Sequence, residues 1–127
     1  MSNTSNERKK ILLVDDDEMY LLIAELCLKD EYDIYKATSG EEALKCLCNK
    51  DFVPDLILLD IIMPNMDGWE VFRKIKGISL LTDIPILFLT SINSETEKEK
   101  AHELGAVDYI TKPLEKALLK KRIKEII

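Results

Sequence analysis

Three carboxylates hold the chemical potential of this 127-residue chain: the adjacent pair Asp15-Asp16 and the single Asp60. Each closes a short apolar run, Ile11-Leu12-Leu13-Val14 before the pair and Leu56-Ile57-Leu58-Leu59 before Asp60. Three acids brought to one place repel one another unless a cation joins them. A hard divalent ion suits such oxygen ligands. Mg2+ is the natural one, since it keeps several waters while taking one or two carboxylates and a phosphate. Lys112 adds a compact ammonium able to hold a phosphate oxygen, and Thr90, with Ser91 beside it, adds a hydroxyl that can donate to another. One carboxylate is then free to attack phosphorus and form an acyl phosphate. Positive charge from metal and lysine would steady the oxygens of the group in transfer.

These side chains meet only if the chain delivers them to one edge. Apolar, strand-like runs at about 10–15, 33–37, 56–60, 86–90 and 107–111 alternate with helical patterns. That alternation predicts an α/β fold, a doubly wound parallel sheet with helices on both faces. Ligand sites of such sheets lie beyond the carboxyl ends of the strands, where all the residues named above fall. The first helix is expected over about 18–29, capped by Asp17, with Met19, Leu22, Ile23 and Leu26 as its buried stripe. Ser39 with Glu42, and Ser94 with Glu97, have the spacing of capping boxes. Asp67 can cap a helix over 68–76, with Glu70 at the boxed position and Gly77 ending it. Pro113 suits the first turn of the last helix, whose stripe is Leu119, Ile123, Ile126 and Ile127.

Composition narrows the function classes. The length suits one domain, and 46% apolar residues suffice for a core. Residues 1–8 are polar and read as a loose tail, leaving 9–127 as the domain. No apolar run approaches membrane-spanning length, so membrane insertion is not expected. The net charge of −6 argues against direct nucleic-acid binding. Lys120-Lys121-Arg122 with Lys124, the one basic cluster, reads as a solvated helix end. Three cysteines without a CxxC spacing, and no secretory signal, point to a reducing cytoplasmic setting. The sole histidine, His102, sits among charged residues and offers little to a triad or a histidine metal site.

The quoted residues resemble the receiver domain of two-component response regulators, of the chemotaxis-regulator kind, over about 9–127. Val14-Asp15-Asp16-Asp17 is similar to that family's acidic pocket. The stretch from Asp60 through Met63-Pro64 to Asp67-Gly68 is similar to its phospho-acceptor segment. Leu89-Thr90-Ser91 resembles its switch threonine, and Tyr109-Ile110-Thr111-Lys112-Pro113 its switch aromatic and Lys-Pro pair. The resemblance implies a five-stranded parallel sheet of order 2-1-3-4-5 with five helices, and a cis Lys112–Pro113 bond. It implies that Asp60 accepts phosphate from a sensor histidine kinase or phosphotransfer protein. Asp16, Asp60 and the Ile62 carbonyl would hold Mg2+, Asp15 acting through a bound water. Lys112 would hold the phosphate, Thr90 would move toward it, and Tyr109 would swing inward. The remodelled output face would be the fourth helix, fifth strand and fifth helix, with Ile92, Glu95, Lys98, His102, Tyr109 and Lys116 exposed on it. Weak homodimers form through that face in the family, though nothing in this sequence demands one. No effector motif is present, so output is expected through a downstream partner or a further domain.

Two positions are individual to this chain. Ile62 and Ile92 flank the path of an attacking water and cannot orient it, which predicts slow self-hydrolysis of the acyl phosphate. Trp69, the only tryptophan, starts the helix after the acceptor segment, where its emission would report binding nearby. Three other functions share the pattern. An aspartyl-phosphate phosphatase would need a second acid–base carboxylate after Asp60, where Ile61 and Ile62 stand. A phosphate-independent interaction module would be expected to lack an acidic-pocket residue, Thr90 or Lys112. A nucleotide-binding flavodoxin-like protein would carry a glycine-rich loop where Asp15-Asp16-Asp17 stands.

Overall fold

A computed structural model describes residues 8–127. Five strands form one parallel sheet: β1 (Lys10–Val14), β2 (Asp33–Ala37), β3 (Leu56–Leu59), β4 (Ile86–Thr90) and β5 (Asp108–Thr111). Their order is β2-β1-β3-β4-β5. Five helices connect and flank them: α1 (Glu18–Leu28), α2 (Gly40–Leu47), α3 (Gly68–Lys76), α4 (Glu95–Leu104) and α5 (Lys116–Ile126). A short 3-10 turn over Ser79–Leu81 precedes β4.

The central strands are apolar without alternation because both faces are covered. On one face Leu12, Val14, Ile57, Leu59, Ile86 and Phe88 pack with residues of α2, α3 and α4. On the other, Ile11, Leu13, Leu56, Leu58, Leu87 and Leu89 pack with α1 and α5. Each such side chain contributes about 1.5–3 kcal/mol on burial. The ladder continues one residue past several strands: Asp60 N–H donates to Val14 O at 3.0 Å, and Lys112 N–H to Thr90 O at 2.8 Å. Backbone pairing thus holds the chemistry-bearing residues in register at the sheet's carboxyl edge.

Helix starts follow the caps in part. Asp17 accepts from Met19 N–H at 2.9 Å, and Asp67 from Glu70 N–H at 3.0 Å. Ser39 accepts from Glu42 N–H at 3.0 Å, while the Glu42 carboxylate reaches back to Thr38 N–H at 2.7 Å. The second expected box does not form. Ser94 makes no side-chain cap bond, and Glu97 turns inward with one carboxylate oxygen buried and unpartnered. Pro113 also stands outside α5, in a cis Lys112–Pro113 bond; the helix begins after Glu115.

The stripe expected on α1 is the exposed one. Met19, Leu22, Ile23 and Leu26 face solvent at 62%, 46%, 37% and 51% exposure, while Leu21, Ala24 and Leu28 are buried. The helix is apolar almost all round, so its sequence contains two competing stripes, and the Asp17 cap and the sheet decide which turns inward. The basic run on α5 also differs from a solvated end. Lys120 pairs with Asp30 and Glu31, Lys124 with Glu31, and Arg122 with Asp108. The stretch 1–8, read as a loose tail, lies outside the described residues except for Arg8. That residue donates to the Lys29 and Tyr32 carbonyls.

Candidate functional site

The site is built at the carboxyl ends of β1, β3, β4 and β5. Asp15 follows β1, Asp60 follows β3, Thr90 ends β4, and Lys112 follows β5. Asp15, Asp60 and Thr90 are the buried polar residues of the described chain. The Lys112 side chain is 6% exposed; its ammonium lies 2.6 Å from Asp15 Oδ2 and 3.6 Å from Asp60 Oδ2. Asp15 Oδ1 also accepts from Asp17 N–H at 2.9 Å, so both its oxygens are engaged. Asp60 Oδ1 accepts from Ile61 N–H at 2.8 Å. Thr90 is fully buried, its hydroxyl accepting from Ile92 N–H at 3.4 Å.

Burial pushes the Asp60 carboxyl up to about 6, and the neighbouring Asp15 charge adds to the rise. The Lys112 charge and the Thr90 hydroxyl pull the other way. Asp60 is therefore a carboxylate at neutral pH, but one under strain from lost hydration. Tyr109 is pushed up to about 12 by burial, then by Glu97 and Asp60, so its phenol stays protonated. Its hydroxyl donates to Ile92 O at 2.7 Å, away from the carboxylates. Tyr109 is thus joined to the segment leaving Thr90 rather than to Asp60.

Asp16 is exposed at the mouth, and Ile62 is 58% exposed. Asp15, Asp16 and Asp60 each present an oxygen, all within 4.8 Å of one another. Three carboxylates answered by one ammonium leave negative charge in a small volume. Their donors are hard oxygens, and the set fits a divalent cation such as Mg2+.

Two further residues shape the site, and the sequence did not disclose what either does there. Gly68 donates its N–H to Ile61 O at 2.7 Å. A Cβ there would stand 2.2 Å from Asp60 O, so only glycine lets α3 begin this close to the acceptor segment. The glycine after Asp67 is the visible signal. Tyr20 lies on the first turn of α1, with its ring centroid 4.0 Å from Lys112 Nζ. An aromatic side chain five residues past Asp15 gives no hint of a lysine 92 positions further on. Trp69 is buried at the start of α3, its ring 4.8 Å from that of Phe88.

The response regulator receiver domain family matches residues 11–124. The alkaline phosphatase synthesis transcriptional regulatory protein PhoP of Bacillus subtilis is 41% identical over 120 residues, covering 94% of this chain and 48% of PhoP. The chain thus spans about half the length of that relative. A putative response regulator from Chloroflexus aurantiacus superimposes with TM-score 0.87 at 34% identity, covering 94% of this chain and 98% of its own. The chemotaxis protein CheY4 of Vibrio cholerae gives TM-score 0.86 at 29% identity, over 95% of this chain and all of its own. Fold, site and kinship agree: the chain belongs to the response regulator receiver domain family, the phosphorelay signalling modules of two-component systems.

Proposed function

We propose that this chain is a phospho-accepting switch in which Asp60 takes a phosphoryl group from a phosphohistidine on a sensor kinase or phosphotransfer protein. An Asp60 carboxylate oxygen attacks phosphorus, the P–N bond breaks, and its electron pair stays on the imidazole nitrogen. The product is an acyl phosphate. The observation that carries this reading is a buried, ionised carboxylate 3.6 Å from a buried ammonium, at the ligand edge of the sheet.

Lys112 balances the incoming charge: its ammonium sits between Asp15 and Asp60 and has donors to spare for a phosphoryl oxygen. Asp16, Asp60 and the Ile62 carbonyl would hold Mg2+, with Asp15, already engaged by Lys112 and Asp17 N–H, acting through a water. The ion would supply charge that stabilises the transferring oxygens. Thr90 would turn its hydroxyl from Ile92 N–H toward the phosphate, which adds close to two negative charges. Ile92, whose carbonyl holds the Tyr109 hydroxyl, would shift with it and free that ring to move inward. Local charge then becomes a change in the α4–β5–α5 surface, where Glu95, His102 and Lys116 are exposed. A downstream effector or a further domain would read that surface.

The donor needs a docking face beside Asp60. The exposed row Met19, Leu22, Ile23 and Leu26 on α1, directly after the acidic loop, is the apolar surface suited to a partner helix. The enzyme reading is weaker, because Ile61 and Ile62 supply no acid–base group next to Asp60. The phosphate-independent module is weaker too, because the acidic pocket, Thr90 and Lys112 are all retained. The deciding test is mass spectrometry after incubation with acetyl phosphate and Mg2+. The wild-type chain gains one phosphate, and Asp60→Asn gains none. Equal labelling of both would end this assignment.

A further inference from the structure

Lys112 is a nearly buried ammonium with three N–H donors, and the described contacts occupy them unevenly. One donor meets Asp15 Oδ2 at 2.6 Å. Asp60 Oδ2, at 3.6 Å, is beyond an ordinary hydrogen bond. The remaining flank faces the Tyr20 ring, whose centroid is 4.0 Å from Nζ. That distance lies well inside the range over which a ring face attracts a cation. Between Asp15, Tyr20, Asp60 and Leu89 lies a cavity of about 10 Å3. Such a space holds one water at most. With the Lys112 side chain only 6% exposed, the ring stands where water would otherwise solvate the charge.

We propose that Tyr20 is a positioning residue for phosphoryl acceptance: its ring face holds the Lys112 ammonium over the gap between Asp15 and Asp60. This rests on the reading that Asp60 is the acceptor. Asp15 anchors one N–H at 2.6 Å, and the ring covers another flank of the ammonium. The ring attracts without offering a proton acceptor that locks the ammonium in one direction. Lys112 thus stays dry, and can redirect an N–H when a phosphoryl oxygen arrives. Tyr20 is one residue after Met19, on the helix whose exposed row suits a donor. A partner seated there would press on the turn that carries the ring.

The experiment compares wild type with Tyr20→Phe and Tyr20→Leu. Phosphorylation by acetyl phosphate is followed by mass spectrometry, Mg2+ affinity by Trp69 emission, and the Lys112 ε-methylene protons by NMR. The expected results are an upfield ring-current shift of those protons in wild type and Tyr20→Phe, and its loss in Tyr20→Leu. Tyr20→Leu should be phosphorylated about tenfold more slowly, as removal of a desolvated cation–ring contact implies. Tyr20→Phe should stay within about twofold of wild type, and Mg2+ affinity should be unchanged throughout. Unshifted Lys112 protons in wild type would overturn the proposal, and that spectrum needs no variant to fold. It would equally fall if Tyr20→Leu were phosphorylated at the wild-type rate, if Tyr20→Phe were as slow as Tyr20→Leu, or if Mg2+ binding fell with the rate. A wild-type chain that takes no phosphate at Asp60 would overturn the acceptor reading instead, leaving the ring-current result to stand by itself.

Discussion

Replacing Asp60 by asparagine should stabilise the metal-free protein at neutral pH, and the size of the effect follows from its surroundings. In the folded chain the Asp60 carboxyl is held up to about 6, by burial first and by Asp15 second, against an ordinary 3.8. Below about pH 4 it is protonated in both folded and unfolded chains and costs the fold nothing. Between about 4 and 6 the folded chain binds the extra proton, so stability falls as pH rises. Above about 6 the ionised carboxylate is present in both states and the cost is complete. A gap of about two pH units, at about 1.4 kcal/mol each, amounts to about 3 kcal/mol. Asp60→Asn keeps the shape and removes the charge, though it also removes a partner of Lys112, so a gain of about 2 kcal/mol is expected. For a chain of this length that raises the melting temperature by roughly 6 °C. The assay is denaturant unfolding of both proteins in chelator from pH 4 to 8. The gain should be near zero at pH 4 and full by pH 7.5. Added Mg2+ should shrink it, since only the wild type retains the full acidic cluster. A gain equal at both pH values, or a variant less stable than wild type at pH 7.5, would refute the account of Asp60 as a desolvated carboxylate.

Further outcomes can be measured on the same preparations. Lys112→Ala leaves Asp15 and Asp60 facing each other without a cation, and should cost about 3 kcal/mol in chelator by denaturant unfolding. It should also slow phosphorylation by acetyl phosphate about 100-fold or more. Gly68→Ala forces a Cβ against Asp60 O and should cost about 2 kcal/mol, with a matching fall in melting temperature. Leu22→Glu on the exposed face of α1 should leave the melting temperature within about 1 °C and the acetyl phosphate reaction unchanged, while slowing transfer from a phosphorylated kinase. Purified phosphorylated protein in Mg2+ should lose its phosphate over minutes to hours, because neither Ile62 nor Ile92 can orient an attacking water. Loss within seconds would remove that role from the two isoleucines.

Much of the site was legible because its residues close strands. Asp15, Asp60, Thr90 and Lys112 each stand at or just beyond the end of an apolar run, and parallel register carries such positions to one edge. What could not be read was orientation. The buried side of α1 is not encoded locally, because nine of its eleven residues are apolar or aromatic, and periodicity cannot rank two overlapping faces. The Ser94–Glu97 box failed for a different reason. Glu97 sits on the side of α4 that turns toward the sheet, where tertiary packing outweighs a cap bond. Pro113 suited a helix start locally, but α5 begins only at Lys116, while the cis Lys112–Pro113 bond is as expected.

The sequence by itself determined the alternation of strands and helices, the doubly covered parallel sheet, and the set of acids, hydroxyl and ammonium at its edge. Those follow from local rules, namely strand-length apolar runs, caps and side-chain chemistry, that act over a few residues. Only the tertiary structure decided that Lys112 lies 2.6 Å from Asp15 but 3.6 Å from Asp60, that Tyr20 covers it, and that Gly68 presses on the Asp60 carbonyl. These relations join residues up to 97 positions apart, and their distances are set by how helices seat on the sheet. No local pattern encodes that seating, because it is the joint solution of every packed side chain at once.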